Sequence, residues 1–186
     1  MGRSDRDLIP RYSEAISNYI NNVASPGFKI AWLGQKVPFL TDQNDIFYSV
    51  HDKIKAYNVE HHFYDIENSN KVDHNSYKWD INKTWKQIFG YDLVIGLRVS
   101  YLSRSSEKFI TNLKLSTKNN ARVIFDFVSS EHPNKLGNGN YIYEGVGNFK
   151  LSTEMLRKKN LYFGNYRALS ESTKNRHYTI AEIIRR

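Results

Sequence analysis

The sequence predicts an α/β protein built on a doubly wound, mostly parallel seven-stranded sheet with an antiparallel C-terminal strand. Two observations support this fold class. Short apolar runs alternate along most of the chain with segments whose apolar residues recur at helical spacing, and this pattern is typical of parallel strands joined by helices that cover both faces of the sheet. The last two predicted strands have no helix between them, so we expect them to be antiparallel neighbours. The expected architecture is a three-layer αβα sandwich.

A chain of 186 residues is long enough for one domain with a sizeable core and short for two. We therefore expect a single domain in which residues 1–27 form an N-terminal helical extension and residues 28–186 form the α/β core. Within the extension, residues 11–23 place their apolar side chains on one helical stripe. The Ser-Pro-Gly sequence at 25–27 then ends the helix.

Seven runs have the length and the apolar or alternating composition of strands. In chain order they are Phe28–Leu33, Val59–Tyr64, Tyr77–Ile81, Tyr91–Val99, Ala121–Val128, Leu161–Ala168 and Tyr178–Ile184. The third run is short and predicts an edge strand. The fourth has the strongest strand pattern in the chain.

Capping residues and helical periodicity predict the connecting helices. Asp42, Ser105 and Ser152 each precede a segment with helical periodicity, and each is predicted to be an N-cap. The helix after Ser105 would turn Phe109 and its neighbours inward, and residues 84–89 predict a further short helix. A long loop is expected over 129–148, with a hairpin-like excursion at 141–144.

Several classes of protein are excluded or disfavoured by what the sequence lacks. It contains no cysteine, which excludes disulfides, thiol nucleophiles and Cys-ligated zinc. No stretch reaches the roughly 18 apolar residues of a membrane span, and the N-terminus lacks the apolar core of a signal peptide. We therefore expect a soluble, cytoplasmic protein without a membrane partner. No G-x-S-x-G motif or phosphate-binding loop is present.

No spacing of histidines and carboxylates indicates a metal site. His61 and His62 are adjacent in a predicted strand, so their side chains should point to opposite faces and cannot share a metal ion. We therefore predict that the protein holds no metal.

The positive charge is concentrated at the C-terminal end. The net charge is +8; residues 150–186 contain nine basic and three acidic residues, whereas residues 1–149 contain 18 and 16. A basic face attracts phosphates, so a nucleic-acid partner is one interpretation, and a solvated basic surface is the other.

Candidate site residues follow the predicted strands at their carboxyl ends, where open α/β sheets bind ligands. Gly34 directly follows the first strand. It is either part of a cofactor loop, because a glycine lets the backbone approach a ligand, or an ordinary turn glycine. Asp65 and Glu67 follow the second strand, where an acid accepts hydrogen bonds from ribose hydroxyls in dinucleotide-binding folds. The alternative there is a polar strand end or a helix cap.

Three more positions are selected by the same rule. Asp80 follows the third strand and is either an acceptor for an adenine amino group or the cap of a helix beginning near Asn82. The fourth strand ends near Leu97 and Arg98. His132 follows the fifth strand and is either a base for an acceptor group or a solvent-facing loop histidine.

The order of these elements resembles that of the class I S-adenosylmethionine-dependent methyltransferases over roughly residues 28–186. The best match is YDLVIGLRVSYLSRSSEKFITNLK, residues 91–114, which is similar to the family's [FY]-D-L-[VI] strand and the following turn and helix. ARVIFDFVS resembles the next strand, and LSTEMLRKKNLYFGNYRA resembles the usual helix and sixth strand. HYTIAEIIRR resembles the seventh strand, which in this family is antiparallel to the sixth. The glycine loop is degenerate, since residues 34–38 read GQKVP where the family usually has G-x-G-x-G.

The resemblance implies S-adenosylmethionine as cofactor and assigns roles to the strand-end residues. Asp65, or Glu67 near it, would hold the ribose hydroxyls. Asp80 would face the adenine, and Ile81 would pack beside the ring.

The methionine part of the cofactor would lie at the other end of the site. Gly34 would be the remaining part of the glycine loop under the methionine moiety, and Leu97 and Arg98 would line that side of the pocket. His132 would be the candidate base where the acceptor must lose a proton. The function implied is methyl transfer to an acceptor that the sequence does not identify, and the oligomeric state is equally open.

Two other functions are compatible with the same sequence. One is a non-catalytic methyltransferase-like binding or structural module that contacts nucleic acid through the basic C-terminal region. The other is a different nucleotide- or sugar-nucleotide-binding transferase on a Rossmann-like sheet, because fold alone does not exclude it.

Overall fold

A computed structural model of the chain describes residues 13–14, 16–35, 50, 53–54, 58–68, 75–85, 90–96, 99, 102–129, 142–144, 150–163, 171–173 and 176–186. The ten strands within these ranges, in chain order, are β1 (Lys29–Leu33), β2 (Glu60–Asp65), β3 (Ser76–Lys78), β4 (Tyr91–Gly96), β5 (Thr117–Ser129), β6 (Ile142–Glu144), β7 (Lys150–Ser152), β8 (Leu161–Phe163), β9 (Glu171–Thr173) and β10 (Arg176–Arg185).

The main sheet has the order β3-β2-β1-β4-β5-β10-β8, and β9 pairs with β10 outside this path. The neighbours from β3 to β5 are parallel, whereas β10 is antiparallel to both β5 and β8. The strand order reverses between β1 and β4, because the chain leaves β1 toward β2 and β3 and later returns on its other side. The predicted mostly parallel sheet with an antiparallel C-terminal strand is confirmed.

Among the described residues two helices cover one face of the sheet, and each begins at the residue that the sequence predicts. Helix α1 is Ser106–Ser116, and the Ser105 hydroxyl accepts a hydrogen bond from the amide of Lys108 at 3.3 Å. Helix α2 is Thr153–Arg157, capped in the same way by Ser152. Caps of this kind typically stabilise a helix by about 1 kcal/mol.

Side chains on the two faces of the sheet form two separate apolar clusters. Along β1, Ala31 and Leu33 pack on the α1 and α2 side. Ile30 and Trp32 point the other way, where they pack with Ile20 of the helical segment 16–23. The alternation along β1 therefore builds a core on each side of the sheet, as the three-layer prediction requires.

Several strands differ from their predicted bounds. The third ends at Lys78 rather than at residue 81, because the chain turns there, and the fourth ends at Gly96 rather than Val99. The fifth begins earlier, at Thr117, and its pairing with β4 is irregular near its start, where Asn120 has φ +64°. Residues 84 and 85 are not helical, and the rest of the helix predicted there lies outside the described residues.

Other expectations fall partly or wholly beyond the described ranges. The helix after Asp42, the later part of the sixth predicted strand and most of the loop at 129–148 belong to this group. The hairpin-like excursion is confirmed, because β6 pairs with β7 as a separate antiparallel sheet. No helix among the described residues is long and apolar enough to cross a membrane.

A chain of polar side chains runs through the core between β2 and β4. His62 Nε2 lies 2.5 Å from Glu60 Oε1, and His62 Nδ1 lies 3.0 Å from the Tyr91 hydroxyl. The Tyr91 and Tyr64 hydroxyls are 2.5 Å apart. Because a carboxylate only accepts, His62 must donate from Nε2, which leaves Nδ1 of a neutral ring to accept from Tyr91. Hydrogen bonding to His62 and Lys29 also lowers the pKa of Glu60.

These buried phenols predict a loss of stability at alkaline pH. Burial raises the pKa of Tyr64 and of Tyr91 above the ordinary value of 10.0. Below about pH 10 both phenols are protonated in the folded and the unfolded chain, so their contribution is fully present. Above that pH the unfolded chain loses these protons first, and each phenol should lower the free energy of unfolding by about 1.4 kcal/mol per pH unit.

Urea unfolding followed by circular dichroism at several pH values from 8 to 11 measures this slope. Tyr64→Phe should make the slope shallower. Tyr162→Phe, which removes a half-buried tyrosine outside this cluster, is the comparison variant. A free energy of unfolding that stays level through pH 11 would contradict the assignment.

Candidate functional site

A cavity of about 300 Å³ lies at the carboxyl ends of β1, β2 and β3, beside the segment that follows β4. Its lining residues come from four segments that are far apart in the sequence. They are Leu33, Gly34, Tyr64, Asp65, Ile66, Trp79, Asp80, Ile81, Asn82, Val99, Leu102 and Arg104. The cavity therefore lies at the edge of the sheet where open α/β folds bind ligands, next to the point at which the strand order reverses.

Gly34 continues β1 into the cavity in a conformation that favours glycine. Its φ is +74°, and its amide donates to the Tyr64 carbonyl at 2.7 Å. A Cβ at this position would overlap Cγ1 of Val99, which folds back over Gly34 after β4. Gly34 lines the cavity, but the space left by its missing side chain is filled by Val99 rather than left open to a ligand.

Asp65 is the last residue of β2 and is held by the turn that follows it. Its Oδ1 accepts a hydrogen bond from the Glu67 amide at 2.8 Å, and its carbonyl accepts one from the Trp79 amide at 3.0 Å. Its second carboxylate oxygen has no hydrogen bond to a described residue, although the side chain lines the cavity. Asp65 is therefore both fixed by the turn and able to accept a hydrogen bond from a ligand.

Asp80 repeats this arrangement after β3. Its Oδ1 accepts hydrogen bonds from the backbone amide and the side-chain Nδ2 of Asn82, at 2.9 and 3.2 Å. The residue thus caps a turn, and in the described part of the chain its Oδ2 makes no hydrogen bond. The indole N–H of Trp79, directly before it, is buried without a hydrogen-bond partner among the described residues.

Apolar side chains flank these two carboxylates. Ile66 is 56% exposed and Leu102 is 54% exposed, and both line the cavity. Leu115 is the third large apolar side chain that is exposed among the described residues, and it lies outside the cavity. Exposed apolar side chains that flank a cavity commonly contact a ligand.

The structure brings together four of the predicted cofactor residues: Gly34, Asp65, Asp80 and Ile81 line the same cavity. Glu67 lies beside the cavity. Its side chain is exposed, and its backbone amide donates a hydrogen bond to Asp65 Oδ1. The other three predicted site residues, Leu97, Arg98 and His132, lie outside the described residues. No group of three or more potential metal ligands occurs among the residues that are described.

Sequence reasoning missed the residues that close the cavity on the β4 side. The residues concerned are Val99, Leu102 and Arg104, which follow β4 within eight residues of Gly96. The rule that ligands bind at the carboxyl ends of strands therefore indicates this segment. The sequence contains no signal for which of these side chains turn toward the cavity. Asn82 was missed as well, because its role depends on hydrogen bonds to a distant segment.

A second cavity, of about 250 Å³, lies at the amino ends of β1 and β4. Its charged lining residues are already paired. Asp92 accepts hydrogen bonds from Lys118, and Arg122 donates to Glu182 at 2.7 Å. The cavity at the carboxyl ends, with carboxylate oxygens that make no hydrogen bond to described residues, is the better candidate for a binding site.

The sequence matches no protein-family model and no curated protein, but the fold is similar to solved methyltransferase structures. Magnesium protoporphyrin IX methyltransferase (ChlM) from Synechocystis PCC 6803, with bound S-adenosylhomocysteine, aligns with a TM-score of 0.59 at 15% identity, over 98% of this chain and 86% of that chain. The N-methyltransferase NodS from Bradyrhizobium japonicum WM9 aligns with a TM-score of 0.59 at 9% identity, over 97% and 98%.

A third similar structure is the 1,6-didemethyltoxoflavin-N1-methyltransferase of Burkholderia thailandensis, solved with 1,6-didemethyltoxoflavin and S-adenosylhomocysteine. It aligns with a TM-score of 0.57 at 8% identity, over 95% of this chain and 78% of that chain. At these identities the likeness establishes the fold. The chain has the Rossmann-like αβα fold of the class I S-adenosylmethionine-dependent methyltransferases, as the sequence predicts.

Proposed function

We propose that this protein transfers a methyl group from S-adenosylmethionine to an acceptor. One observation carries the proposal: Gly34, Asp65, Asp80 and Ile81, to which the family resemblance assigns cofactor contacts, line a single cavity beside the switch point of the sheet. The likeness in fold to methyltransferases solved with S-adenosylmethionine or S-adenosylhomocysteine supports the same cofactor.

The chemistry of the cavity fits the adenosine part of this cofactor. The second oxygen of Asp65 is an acceptor for ribose hydroxyls, and the second oxygen of Asp80 is an acceptor for an amino group. Ile66, Ile81 and Leu102 supply apolar surface for the flat faces of a base. A site of this kind, mostly apolar with a few fixed polar groups, is typical of nucleoside recognition.

The chain's own contribution to the reaction would be positioning. When bound, S-adenosylmethionine supplies a methyl group on a sulfonium, which is already an activated leaving group. The protein must then hold an acceptor atom in line with that methyl group and exclude water, which needs no catalytic triad. In this proposal Leu97 and Arg98 would line the methionine side, and His132 would take the proton from an acceptor that must lose one.

The acceptor itself is not part of the proposal. The substrates printed for the similar methyltransferases differ from one another, magnesium protoporphyrin IX in one and 1,6-didemethyltoxoflavin in another. A small molecule, a nucleic acid and a protein are all compatible with the described cavity. The cytoplasmic localisation stays a prediction from the sequence.

Calorimetric titration of the dialysed protein with S-adenosylhomocysteine and S-adenosylmethionine tests the proposal. We expect one binding site per chain with a dissociation constant between about 1 µM and about 1 mM, which is the usual range of Michaelis constants. The absence of heat at millimolar ligand would overturn the proposal.

One observation favours the alternative of a non-catalytic binding module. Residues 150–186 contain nine basic and three acidic residues, and the side chains of Arg157 and Arg186 among them are exposed. Such a surface attracts the phosphates of nucleic acid. The same titration separates the two functions, since the alternative predicts no heat with either ligand.

A further inference from the structure

One side chain, Asn82, joins the loop after β3 to the segment after β4. Its Oδ1 accepts a hydrogen bond from the Arg104 amide at 2.7 Å, and its Nδ2 donates to the Leu102 carbonyl at 3.2 Å. Nδ2 also donates to Asp80 Oδ1 at 3.2 Å, and the Asn82 backbone amide donates to the same oxygen at 2.9 Å. Both N–H groups and the oxygen of the side-chain amide therefore have hydrogen-bond partners, two of them on the segment after β4 and one on Asp80 in the same loop.

The neighbours of Asn82 fix the orientation of its amide. The backbone N–H of Arg104 can only donate and the carbonyl of Leu102 can only accept, so oxygen and nitrogen cannot exchange places. Aspartate has the same shape but lacks the two N–H groups. Alanine lacks both the two N–H groups and the oxygen. Asparagine is thus the side chain that satisfies every group at this position.

The three residues that Asn82 holds all line the cavity. Asp80, Leu102 and Arg104 form one of its walls, although Leu102 and Arg104 lie 20 and 22 residues from Asn82 in the sequence. The Leu102 side chain is 54% exposed, so packing does little to hold it, and its position depends on its backbone. Without Asn82 the segment after β4 would have to be ordered when a ligand binds, which weakens binding.

We infer that Asn82 is a positioning residue that preorganises this wall for the nucleoside part of the cofactor. The inference rests on the proposed function. It predicts an effect on the adenosine end of the ligand only, because Asp80 and Leu102 are the residues proposed to contact the base. The amino-acid end of the cofactor would lie elsewhere and would be unaffected.

Calorimetry of Asn82→Ala with two ligands tests this inference. S-adenosylhomocysteine and 5′-methylthioadenosine share the adenosine part, and only the first carries the amino-acid part. We expect Asn82→Ala to bind both about tenfold more weakly than the wild type, by the same factor, which corresponds to about 1.4 kcal/mol. Asn82→Asp keeps the acceptor for Arg104 and loses both N–H donors. It should therefore also weaken the binding of both ligands by the same factor.

A measurement without ligand examines the wall directly. Asn82 Oδ1 accepts the hydrogen bond of the Arg104 amide, so amide hydrogen exchange at Arg104 should be about tenfold faster in Asn82→Ala. This readout keeps the inference separate from the proposed function. If the wild type binds neither ligand, the proposed function fails and the ligand part of the inference fails with it, while the exchange rate still decides whether Asn82 orders the wall.

Asn112→Ala is the matched control. Asn112 Oδ1 accepts from the Trp85 amide at 3.0 Å, and its Nδ2 donates to the Lys83 carbonyl at 2.9 Å, yet none of these residues lines the cavity. We expect this variant to lose stability without a change in either dissociation constant. The inference is overturned if Asn112→Ala weakens binding as much as Asn82→Ala, if only S-adenosylhomocysteine is affected, or if Asn82→Ala binds within twofold of the wild type.

Discussion

Replacing Asp65 with alanine should reduce the affinity for S-adenosylhomocysteine by more than about 100-fold. The second carboxylate oxygen of Asp65 makes no hydrogen bond to a described residue and the side chain lines the cavity, where we propose that it accepts hydrogen bonds from both ribose hydroxyls. Hydrogen bonds to a charged group contribute about 1.5–3 kcal/mol each, so the loss of two corresponds to at least a 100-fold change. Calorimetric titration of the variant against the wild type measures it.

Two further variants separate ligand contact from damage to the turn. Asp65→Ala also removes the acceptor for the Glu67 amide, which should lower the free energy of unfolding by about 1 kcal/mol. Asp65→Asn can keep that acceptor and should restore most of the stability. It places an NH₂ group or a neutral oxygen toward the ribose, so its affinity for S-adenosylhomocysteine should stay low.

Glu67→Gln is the control for charge near the cavity. Its side chain is exposed and lies outside the lining, so the dissociation constant should change less than threefold. If Asp65→Ala binds S-adenosylhomocysteine as tightly as the wild type, or if Glu67→Gln is the variant that loses binding, the proposed role of Asp65 is wrong.

Gly34→Ala should lower the free energy of unfolding by about 2–5 kcal/mol. Two effects add at this position. An alanine at φ +74° is strained by about 1–2 kcal/mol. Its Cβ would also overlap Val99 Cγ1, and forcing an extra methyl group into a packed site costs about 1–3 kcal/mol. Urea unfolding of the variant and the wild type measures the sum.

The chain provides a control that isolates the backbone effect. Gly27 has φ +79°, and a Cβ there would have no atom within 4 Å, so Gly27→Ala should show the conformational strain alone. Gly34→Ala in a Val99→Ala background should cost about as much as Gly27→Ala, because the overlapping methyl group has been removed. The resulting double-mutant cycle should give a coupling of about 1–3 kcal/mol. Equal costs for Gly34→Ala and Gly27→Ala in the wild-type background would show that Val99 does not occupy the space.

The sequence was most informative at strand centres and helix caps, where structure is set by near neighbours. The apolar run at Phe28–Leu33 predicted a buried strand, and in β1 Ala31 faces one side of the sheet while Ile30 and Trp32 face the other, since strand side chains alternate whatever lies against them. Ser105 and Ser152 could be recognised as caps because an N-cap acts within three residues of itself. His61 and His62 separate as predicted: His61 accepts a hydrogen bond from the Trp32 indole, and His62 joins the polar chain on the other face.

Strand ends were harder to predict than strand centres. Val99 is apolar and was predicted to belong to the fourth strand, but β4 has its last residue at Gly96, and Val99 lies outside the strand and packs on Gly34. At the edge of the sheet, β3 ends at Lys78 because Asp80 accepts hydrogen bonds from Asn82 and closes a turn. In both places a contact made by the residues that follow the strand in the sequence decides where the strand ends. The hydrophobic pattern does not predict such a contact.

The sequence by itself determined the run of parallel strands, the antiparallel C-terminal pair, and the acids at the ends of two strands. Only the tertiary structure decided that Asp65 and Asp80 share one cavity, that Val99 fills the space above Gly34, and that Asn82 holds the segment carrying Leu102. The physical reason is the range of the interactions. Periodicity and capping act over a few residues, whereas these contacts join groups 15 to 65 residues apart, whose meeting depends on the order in which the strands assemble.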